Sequence, residues 1–220
     1  MLPGFFGYVQ EFAIYSPIIP LFFIFLYWKD IRQNPLATAI LLLLCLDFST
    51  DMVSQILVYW THLHDNTQDI QQVYFFLFSY TSYNVFKQGI TNPKALKTIK
   101  FLYAAVALFM LYFIITDLRL LNTLVRPSSF LTALNIFVAI YYFYETFIEM
   151  KIKSLVNHPF FWVNSALLLY VGGGFIFQLF QNAMDRIVPG ISGTLWPIYN
   201  ISTIIFNLLI LRAIWLMKKA

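Results

Sequence analysis

Seven long apolar runs, separated by short polar segments, dominate the pattern of hydrophobic and polar positions along the chain. A transmembrane helix needs about 20 consecutive, mostly apolar residues, and each run is close to that length. The predicted spans are about 10–28, 36–60, 70–88, 98–116, 129–150, 160–181 and 196–216. The pattern therefore predicts an all-α membrane protein, in which residues 1–220 form a single domain, a seven-transmembrane-helix bundle.

Three of the polar segments end in a signal for the start of a helix. Asparagine accepts hydrogen bonds from the free amides of a first turn, and proline suits the first helical position. The signals are Asn34-Pro35, Asn92-Pro93 and Asn157-His158-Pro159. Inside the first run, Pro17 and Pro20 predict a kink.

Composition agrees with a membrane protein and excludes several kinds of site. Of the 220 residues, 60% are hydrophobic and 11% are charged, whereas soluble domains carry about 25% charged residues. The single cysteine, Cys45, excludes an intramolecular disulfide and a cysteine-based metal cluster. Three scattered histidines are too few for an intramembrane zinc site, and no basic block suggests nucleic-acid binding. We therefore expect no metal, no cofactor and no nucleic acid, with the lipid bilayer as the surrounding partner.

Lysine and arginine are distributed unequally between the two sides of the predicted bundle. Cytoplasmic loops carry the excess of these residues, so the chain is expected to have its amino terminus outside and its carboxyl terminus in the cytoplasm. The eleven predicted cytoplasmic residues are Lys29, Arg32, Lys87, Lys94, Lys97, Lys100, Lys151, Lys153, Arg212, Lys218 and Lys219. The three on the other side are Arg119, Arg126 and Arg186.

The segment LDFSTDMVSQ, residues 46–55, places two carboxylates in the second apolar run. Asp47 and Asp51 are four residues apart and share a helix face, which Ser54 and Gln55 extend. An aspartate at a helix centre costs about 2.5–3.5 kcal/mol on insertion scales, and no predicted span carries a lysine or arginine in its core. We therefore expect at least one of the two to be protonated, unless water or an external cation reaches them.

Intramembrane acids usually mark a functional site, so a ligand, ion or proton site is the favoured interpretation. Protonated aspartates that hydrogen-bond between helices are the structural alternative. If the polar faces of several spans converge, the bundle holds a polar cavity open to the outside, with the acids at its floor. The candidate ligand- or ion-binding residues are Asp47, Asp51, Ser54, Gln55, Asn135, Gln178, Tyr199 and Asn200.

Two further features have both a structural and a functional interpretation. In YVGGGF, Gly172, Gly173 and Gly174 favour close helix packing, with a hinge as the alternative. At the end of span 5, Glu145 and Glu149 lie beside two lysines, Lys151 and Lys153. This arrangement predicts a solvated, ion-paired helix end, and a contact with a partner protein is the alternative.

Several stretches give the chain a resemblance to uncharacterised seven-transmembrane proteins of Bacteroidetes-type bacteria. These stretches are YWKDIRQNPL, the acidic second span, NHPFFWVNSALLLYVGG and LWPIYNISTIIFNLLILRAIWLMKK. Proteins of this kind often occur beside sensor histidine kinases or as their membrane part. The resemblance therefore implies a sensing role in the bacterial inner membrane, with a sensor kinase or another membrane protein as partner.

These observations favour a sensor or receptor-like module, in which Asp47 and Asp51 meet a ligand or cation from outside. A proton- or cation-coupled secondary transporter of a small solute is the alternative. A structural subunit of a membrane complex, or a lipid enzyme that uses carboxylates alone, is the third. Other enzymes are disfavoured, because no predicted span holds the buried histidine of a hydrolase or a mid-span lysine for a retinal Schiff base.

Overall fold

The computed structural model describes residues 3–57, 67–116, 128–149, 154–187 and 191–219. Side chains are described over 7–57, 73–112, 128–148, 154–175 and 197–219. These residues form α-helices and one short 3-10 helix, Leu155–Asn157, without a strand among them, which confirms the all-α class. The α-helices are α1 (Pro3–Tyr15), α2 (Ile18–Leu26), α3 (Trp28–Ile31), α4 (Pro35–Ile56), α5 (Thr67–Phe86), α6 (Pro93–Thr116), α7 (Ser128–Glu149), α8 (Pro159–Ile187) and α9 (Ile191–Lys219).

The predicted helix starts and the predicted kink are confirmed. Asn34 Oδ1 accepts a hydrogen bond from the amide of Leu36 at 3.0 Å, so its side chain caps α4. Asn92 Oδ1 accepts from the amide of Lys94 at 3.0 Å in the same way, and α8 begins at its predicted proline. The first apolar run is broken between α1 and α2, at Ser16 and Pro17.

Helices that follow one another in the chain pack together, and the last one closes the bundle. The packed pairs include α4 with α5, α5 with α6, α6 with α7, α7 with α8, and α8 with α9. Helix α9 also packs against α1 and α2, while α5 reaches across to α7. The centre of the bundle is filled by fully buried side chains such as Ile40, Leu44, Leu167 and Ile210. The fold is therefore a closed ring of helices.

Five segments of the described residues are long and apolar enough to cross a membrane. They are Gly7–Leu26, Pro35–Ile56, Pro93–Tyr112, Ser128–Ile148 and Pro197–Lys219, and Pro159–Phe175 in α8 is a shorter apolar helix. Their outer faces carry large exposed apolar side chains, among them Phe101 at 73% and Phe137 at 71% exposure. An apolar surface of this extent is unfavourable in water, and contact with lipid removes it from water. The chain is a multi-pass membrane protein; the count of seven spans stays a prediction.

One end of the bundle gathers three connections. The ring of Tyr27, which follows α2, lies 6.4 Å from that of Trp215 near the end of α9. At the start of α8, the ring of Phe160 lies 4.7 Å from that of Tyr142 in α7. Gly89, between α5 and α6, lies against the same Phe160 ring. We call this the basic end, because its described residues include Lys29, Arg32, Lys87, Lys94, Lys97, Lys100, Arg212, Lys218 and Lys219.

The orientation of the bundle in the membrane stays a prediction. Arg119, Arg126, Lys151 and Lys153 lie outside the described residues, and so does the side chain of Arg186. Nine of the eleven predicted cytoplasmic residues fall at the basic end as defined above. This clustering agrees with the distribution of charge along the chain, and it leaves open which side of the membrane the basic end faces.

The prediction of a solvated end for α7 was wrong at Glu145, which is buried, at 7% exposure. Its carboxylate accepts hydrogen bonds from the amide of Asn92 at 2.7 Å and from the hydroxyl and amide of Thr91 at 2.7 and 3.2 Å. Amides at the start of a helix lack partners within the helix and attract negative charge. Glu145 therefore anchors the start of α6 to α7. Its predicted neighbour in this role, Glu149, has its side chain outside the described part of the chain.

Candidate functional site

Helix α4 carries Asp47 into the interior of the bundle. Ile40, Leu43, Leu44 and Asp47 are all buried, and their spacing places them on one face of the helix. Asp47 is 8% exposed, while Asp51, one turn further along, is half-buried at the edge of that face. The predicted pair therefore has one acid inside the bundle and one beside it.

A series of phenol hydroxyls from three other helices begins at the Asp47 carboxylate. Tyr74 in α5 donates its hydroxyl hydrogen to Asp47 Oδ1 at 3.0 Å. The hydroxyl of Tyr170 in α8 lies 3.5 Å from that of Tyr74, and it shares a short hydrogen bond with the hydroxyl of Tyr199 in α9. We call Asp47, Tyr74, Tyr170 and Tyr199 the Asp47–tyrosine chain. Four helices thus contribute to one connected polar site.

The Asp47–tyrosine chain lies near the middle of the bundle. Asp47, Tyr74 and Tyr170 are each about 16–18 Å along their helix from its basic end, at a rise of about 1.5 Å per residue. The hydrocarbon core of a bilayer is about 30 Å thick. At this depth, the side-chain group that hydrogen-bonds the Asp47 carboxylate is the hydroxyl of Tyr74.

Aromatic rings pack around the hydroxyls of the site. Phe78 stacks on Tyr74, with ring centroids 5.4 Å apart, and meets Tyr170 edge to face at 6.4 Å. Phe206 of α9 lies 5.1 Å from Tyr170 on the other side. Tyrosine suits this position because its ring packs like phenylalanine while its hydroxyl supplies a hydrogen bond.

One oxygen of the site is left without a partner. Asp47 Oδ2 is buried and forms no hydrogen bond with any described residue. A buried acceptor without a partner costs about 1–3 kcal/mol, and more when it is charged. The described residues also contain no cluster of three or more histidines, cysteines or acids that could hold a metal ion. The open oxygen therefore suits a proton, a water or the donor group of a small cation.

The other predicted site residues divide into two groups. Asn200 is buried on α9 directly after Tyr199, and Ser54 and Gln55 are half-buried further along α4. Asn135 belongs to another contact: its Oδ1 accepts from the Tyr103 hydroxyl at 2.7 Å, and its Nδ2 donates to the Leu131 carbonyl. The side chain of Gln178 lies outside the described residues.

Tyr74 and Tyr170 were not among the predicted site residues, although they connect Asp47 to Tyr199 in the Asp47–tyrosine chain. For two acids without an intramembrane lysine or arginine, the sequence suggested only a proton, water or an external cation. A phenol hydroxyl also stabilises a carboxylate, and it costs less to bury than a charge. The signal that could have found them was a tyrosine in three separate spans around an acid that lacked a basic partner.

The three glycines lie in an unbroken part of α8. A Cβ atom on Gly173 would collide with Ser202 Oγ of α9, whereas a Cβ on Gly172 would meet nothing within 4 Å. Gly173 thus allows α8 and α9 to approach closely beside Tyr170 and Tyr199. This contact agrees with the packing interpretation, and the hinge stays a prediction.

The two glycines should respond to alanine in opposite directions. Gly172→Ala should raise the free energy of unfolding by about 0.5–1 kcal/mol, because alanine favours a helix more than glycine. Gly173→Ala should lower it by about 1–3 kcal/mol through overpacking, and by less in a Ser202→Ala background. Denaturant titration in detergent micelles measures both changes. Stabilisation by Gly173→Ala would contradict the close approach of α8 and α9.

No family model, curated protein or solved structure matches the chain.

Proposed function

We propose that this protein is a sensor or receptor-like module of a bacterial inner membrane, with seven spans, the amino terminus outside and the carboxyl terminus in the cytoplasm. A small ligand or cation enters from outside and binds at Asp47 and Asp51. A separate cytoplasmic or membrane partner, such as a sensor kinase, receives the signal. The resemblance to seven-transmembrane proteins found beside sensor kinases supports this proposal, as does the distribution of lysine and arginine.

The observation that carries the proposal is the buried Asp47 Oδ2, which has no partner among the described residues. The other oxygen of the same carboxylate is already bound by Tyr74. An unpaired buried oxygen of a carboxylate costs more than one of a neutral amide, so Asp47 Oδ2 needs a proton or a ligand more than the unpaired oxygens of Asn164 and Asn207 do. The geometry therefore supports an Asp47 carboxylate that can still accept a hydrogen bond or a positive charge from a ligand.

The chemistry of the site favours a positively charged or hydrogen-bond-donating ligand. Asp51 lies one turn from Asp47, so two carboxyl groups can share one positive charge. The rings of Tyr74, Tyr170 and Tyr199 add electron-rich faces, which attract organic cations in dry sites. Small amines and monovalent cations are the ligands that fit these groups.

Binding at this site acts on helices that meet again at the basic end. Tyr74 is in α5 and Tyr170 is in α8, so a ligand that changes their hydrogen bonds changes how these two helices pack. Helix α5 leads into Gly89, and α8 begins beside it at Phe160, where the two are in contact. A shift between α5 and α8 is thus transmitted to the α5–α6 connection, where a partner protein can detect it.

Thermal unfolding in detergent tests the proposed site. The purified protein is heated with sodium, potassium, ammonium or tetramethylammonium chloride at constant ionic strength. A ligand at 100 times its Kd stabilises by about 2.7 kcal/mol, which is about 5–10 °C for a chain of this size. Asp47→Asn and Asp51→Asn should abolish the shift, and Glu11→Gln, which removes an exposed acid, should keep it. Equal shifts in wild type and both aspartate variants, or none in wild type across the panel, would overturn the proposal.

A proton- or cation-coupled transporter of a small solute is the second candidate. The Asp47–tyrosine chain favours it, because three hydroxyls in sequence can pass a proton to a carboxylate. Reconstitution into proteoliposomes separates the two functions. A transporter moves its solute or collapses a proton gradient with no partner present, and Asp47→Asn stops it. A sensor gives the ligand-dependent thermal shift without any flux.

A further inference from the structure

A groove of about 390 Å³ opens between α2 and α9 on the outside of the bundle. Phe23 and Tyr27 form one wall, and Leu208, Leu211 and Trp215 form the other. Leu208 and Trp215 are exposed, so the groove faces the surrounding lipid rather than the interior. Its volume is in the range of pockets that hold small molecules.

Three cations surround the basic end of this groove. The guanidinium of Arg212 lines the groove and lies 5.9 Å from the ring centroid of Trp162. The ammonium of Lys218 lies 3.8 Å from the centroid of Tyr27, and that of Lys219 lies 5.2 Å from the centroid of Trp215. None of the three forms a salt bridge with an acidic side chain in the described ranges. Their charge is therefore available to an anion.

The apolar and the basic parts follow one another along α9. Leu208, Leu211, Arg212, Trp215 and Lys219 are spaced by three or four residues and share one face of the helix. The step from Arg212 to Lys219 covers about 10 Å along the helix axis. A molecule that fits this face has an apolar tail beside Leu208 and a negative group between Arg212 and the lysines.

We propose that the groove between α2 and α9 binds one anionic phospholipid, with an acyl chain against Phe23, Leu208 and Leu211 and the phosphate at Arg212 and Lys218. Guanidinium groups bind phosphate oxygens in pairs, and basic pockets between transmembrane helices bind lipid headgroups of high negative charge. Trp215 lies between Arg212 and Lys219 along α9, with the ring of Tyr27 6.4 Å from its own, and such aromatic side chains favour the headgroup layer. A zwitterionic lipid carries a positive group next to its phosphate, and the three cations would repel that group.

Native mass spectrometry of the detergent-purified full chain tests this site. Phosphatidylglycerol and phosphatidylcholine with identical acyl chains are titrated into separate samples. Wild type should retain one phosphatidylglycerol at concentrations at least tenfold below those needed for phosphatidylcholine. Arg212→Gln combined with Lys218→Gln should weaken that binding about 25-fold, or about fivefold for each cation removed.

Two controls distinguish binding in the groove from general electrostatic attraction of the lipid to the protein. Lys94→Gln combined with Lys97→Gln removes the same charge from the exposed start of α6 and should leave phosphatidylglycerol binding within twofold of wild type. Leu211→Trp keeps every charge, fills the apolar part of the groove and should weaken binding at least tenfold. Equal retention of the two lipids, or equal weakening by the two double variants, would overturn the proposal. Displacement of the lipid by millimolar glycerol phosphate would also overturn the proposal. It would show that the site binds the headgroup alone and that the apolar groove does not contribute to binding.

Discussion

Replacing Gly89 by alanine should lower the free energy of unfolding by about 2–3 kcal/mol, among the largest effects expected of a single methyl group in this protein. The new Cβ would overlap three atoms of the Phe160 ring. That ring is 1% exposed and packs on Tyr142, so it has no free space to move into, and overpacking of this kind typically costs 1–3 kcal/mol. Denaturant or thermal unfolding in detergent measures the loss.

A double-mutant cycle identifies the contact responsible. In a Phe160→Leu background the smaller side chain leaves room for the methyl group, so Gly89→Ala should cost at least 1 kcal/mol less than it does in wild type. Gly172→Ala adds a methyl group in open space and serves as the matched control. An equal cost of Gly89→Ala in both backgrounds would show that the turn, and not the Phe160 ring, needs the glycine.

Replacing Glu145 by alanine should lower the free energy of unfolding by about 2–4 kcal/mol. The substitution removes the acceptor for the amide of Asn92 and for the hydroxyl of Thr91, and hydrogen bonds to a charged group contribute about 1.5–3 kcal/mol each, with some compensation from water. Glu145→Gln keeps one oxygen acceptor and should lose about half as much. Unfolding by a denaturing detergent measures the series.

The ordering of the Glu145 variants is the informative result. If Glu145→Gln and Glu145→Ala are destabilised by the same amount, the negative charge of Glu145 stabilises the fold and the geometry of its hydrogen bonds does not. If Glu145→Ala equals wild type, the carboxylate does not anchor the start of α6, and the burial of this residue needs another cause. Hydrogen exchange at the amides of Thr91 and Asn92 reports the same anchor locally, and it should accelerate in the alanine variant.

The sequence predicted those parts of the fold that depend on one helix at a time. Asn34 and Asn92 cap their helices because a cap involves only neighbouring residues, and Pro17 breaks its helix for the same local reason. The exposed phenylalanines on the outer faces follow from the demand that lipid makes on every span. These features need no knowledge of which helix packs against which.

The candidate site depends on how each helix is rotated about its axis and how deep it lies in the bundle, and the sequence determines neither. Tyr74 and Tyr170 lie in separate spans, and the apolar pattern gives neither the rotation of each helix about its axis nor its exact depth. Their hydroxyls are in fact 3.5 Å apart. A rotation of either helix by one residue, about 100°, would separate them. Asn135 shows the converse, because its polar side chain turns to Tyr103 instead of the acids.

Glu145 shows that contacts between distant parts of the chain could not be predicted from the sequence. Its sequence neighbours are basic, so a solvated ion pair was the local expectation. The groups that bind it are Thr91 and Asn92, more than 50 positions earlier in the chain. Two carboxylates in similar apolar helices thus have different roles: Glu145 is enclosed by donors, and Asp47 keeps one oxygen open. The contact partners, and not the helix around each acid, distinguish them.

The closure of the ring has a consequence for biosynthesis. Asn207 of α9 donates its amide hydrogen to Ser16 Oγ at 2.8 Å, across 191 positions of sequence. Ribosomes add about 5–20 residues per second, so Ser16 is synthesised about 10–40 s before its partner. During that interval its hydroxyl can rely on the Ala13 carbonyl, and α1 and α2 have α4 but not α9 beside them. Helix α9 thus covers a face of α1 and α2 that stays unpaired until α9 is made, so a chain truncated before α9 would keep that face exposed.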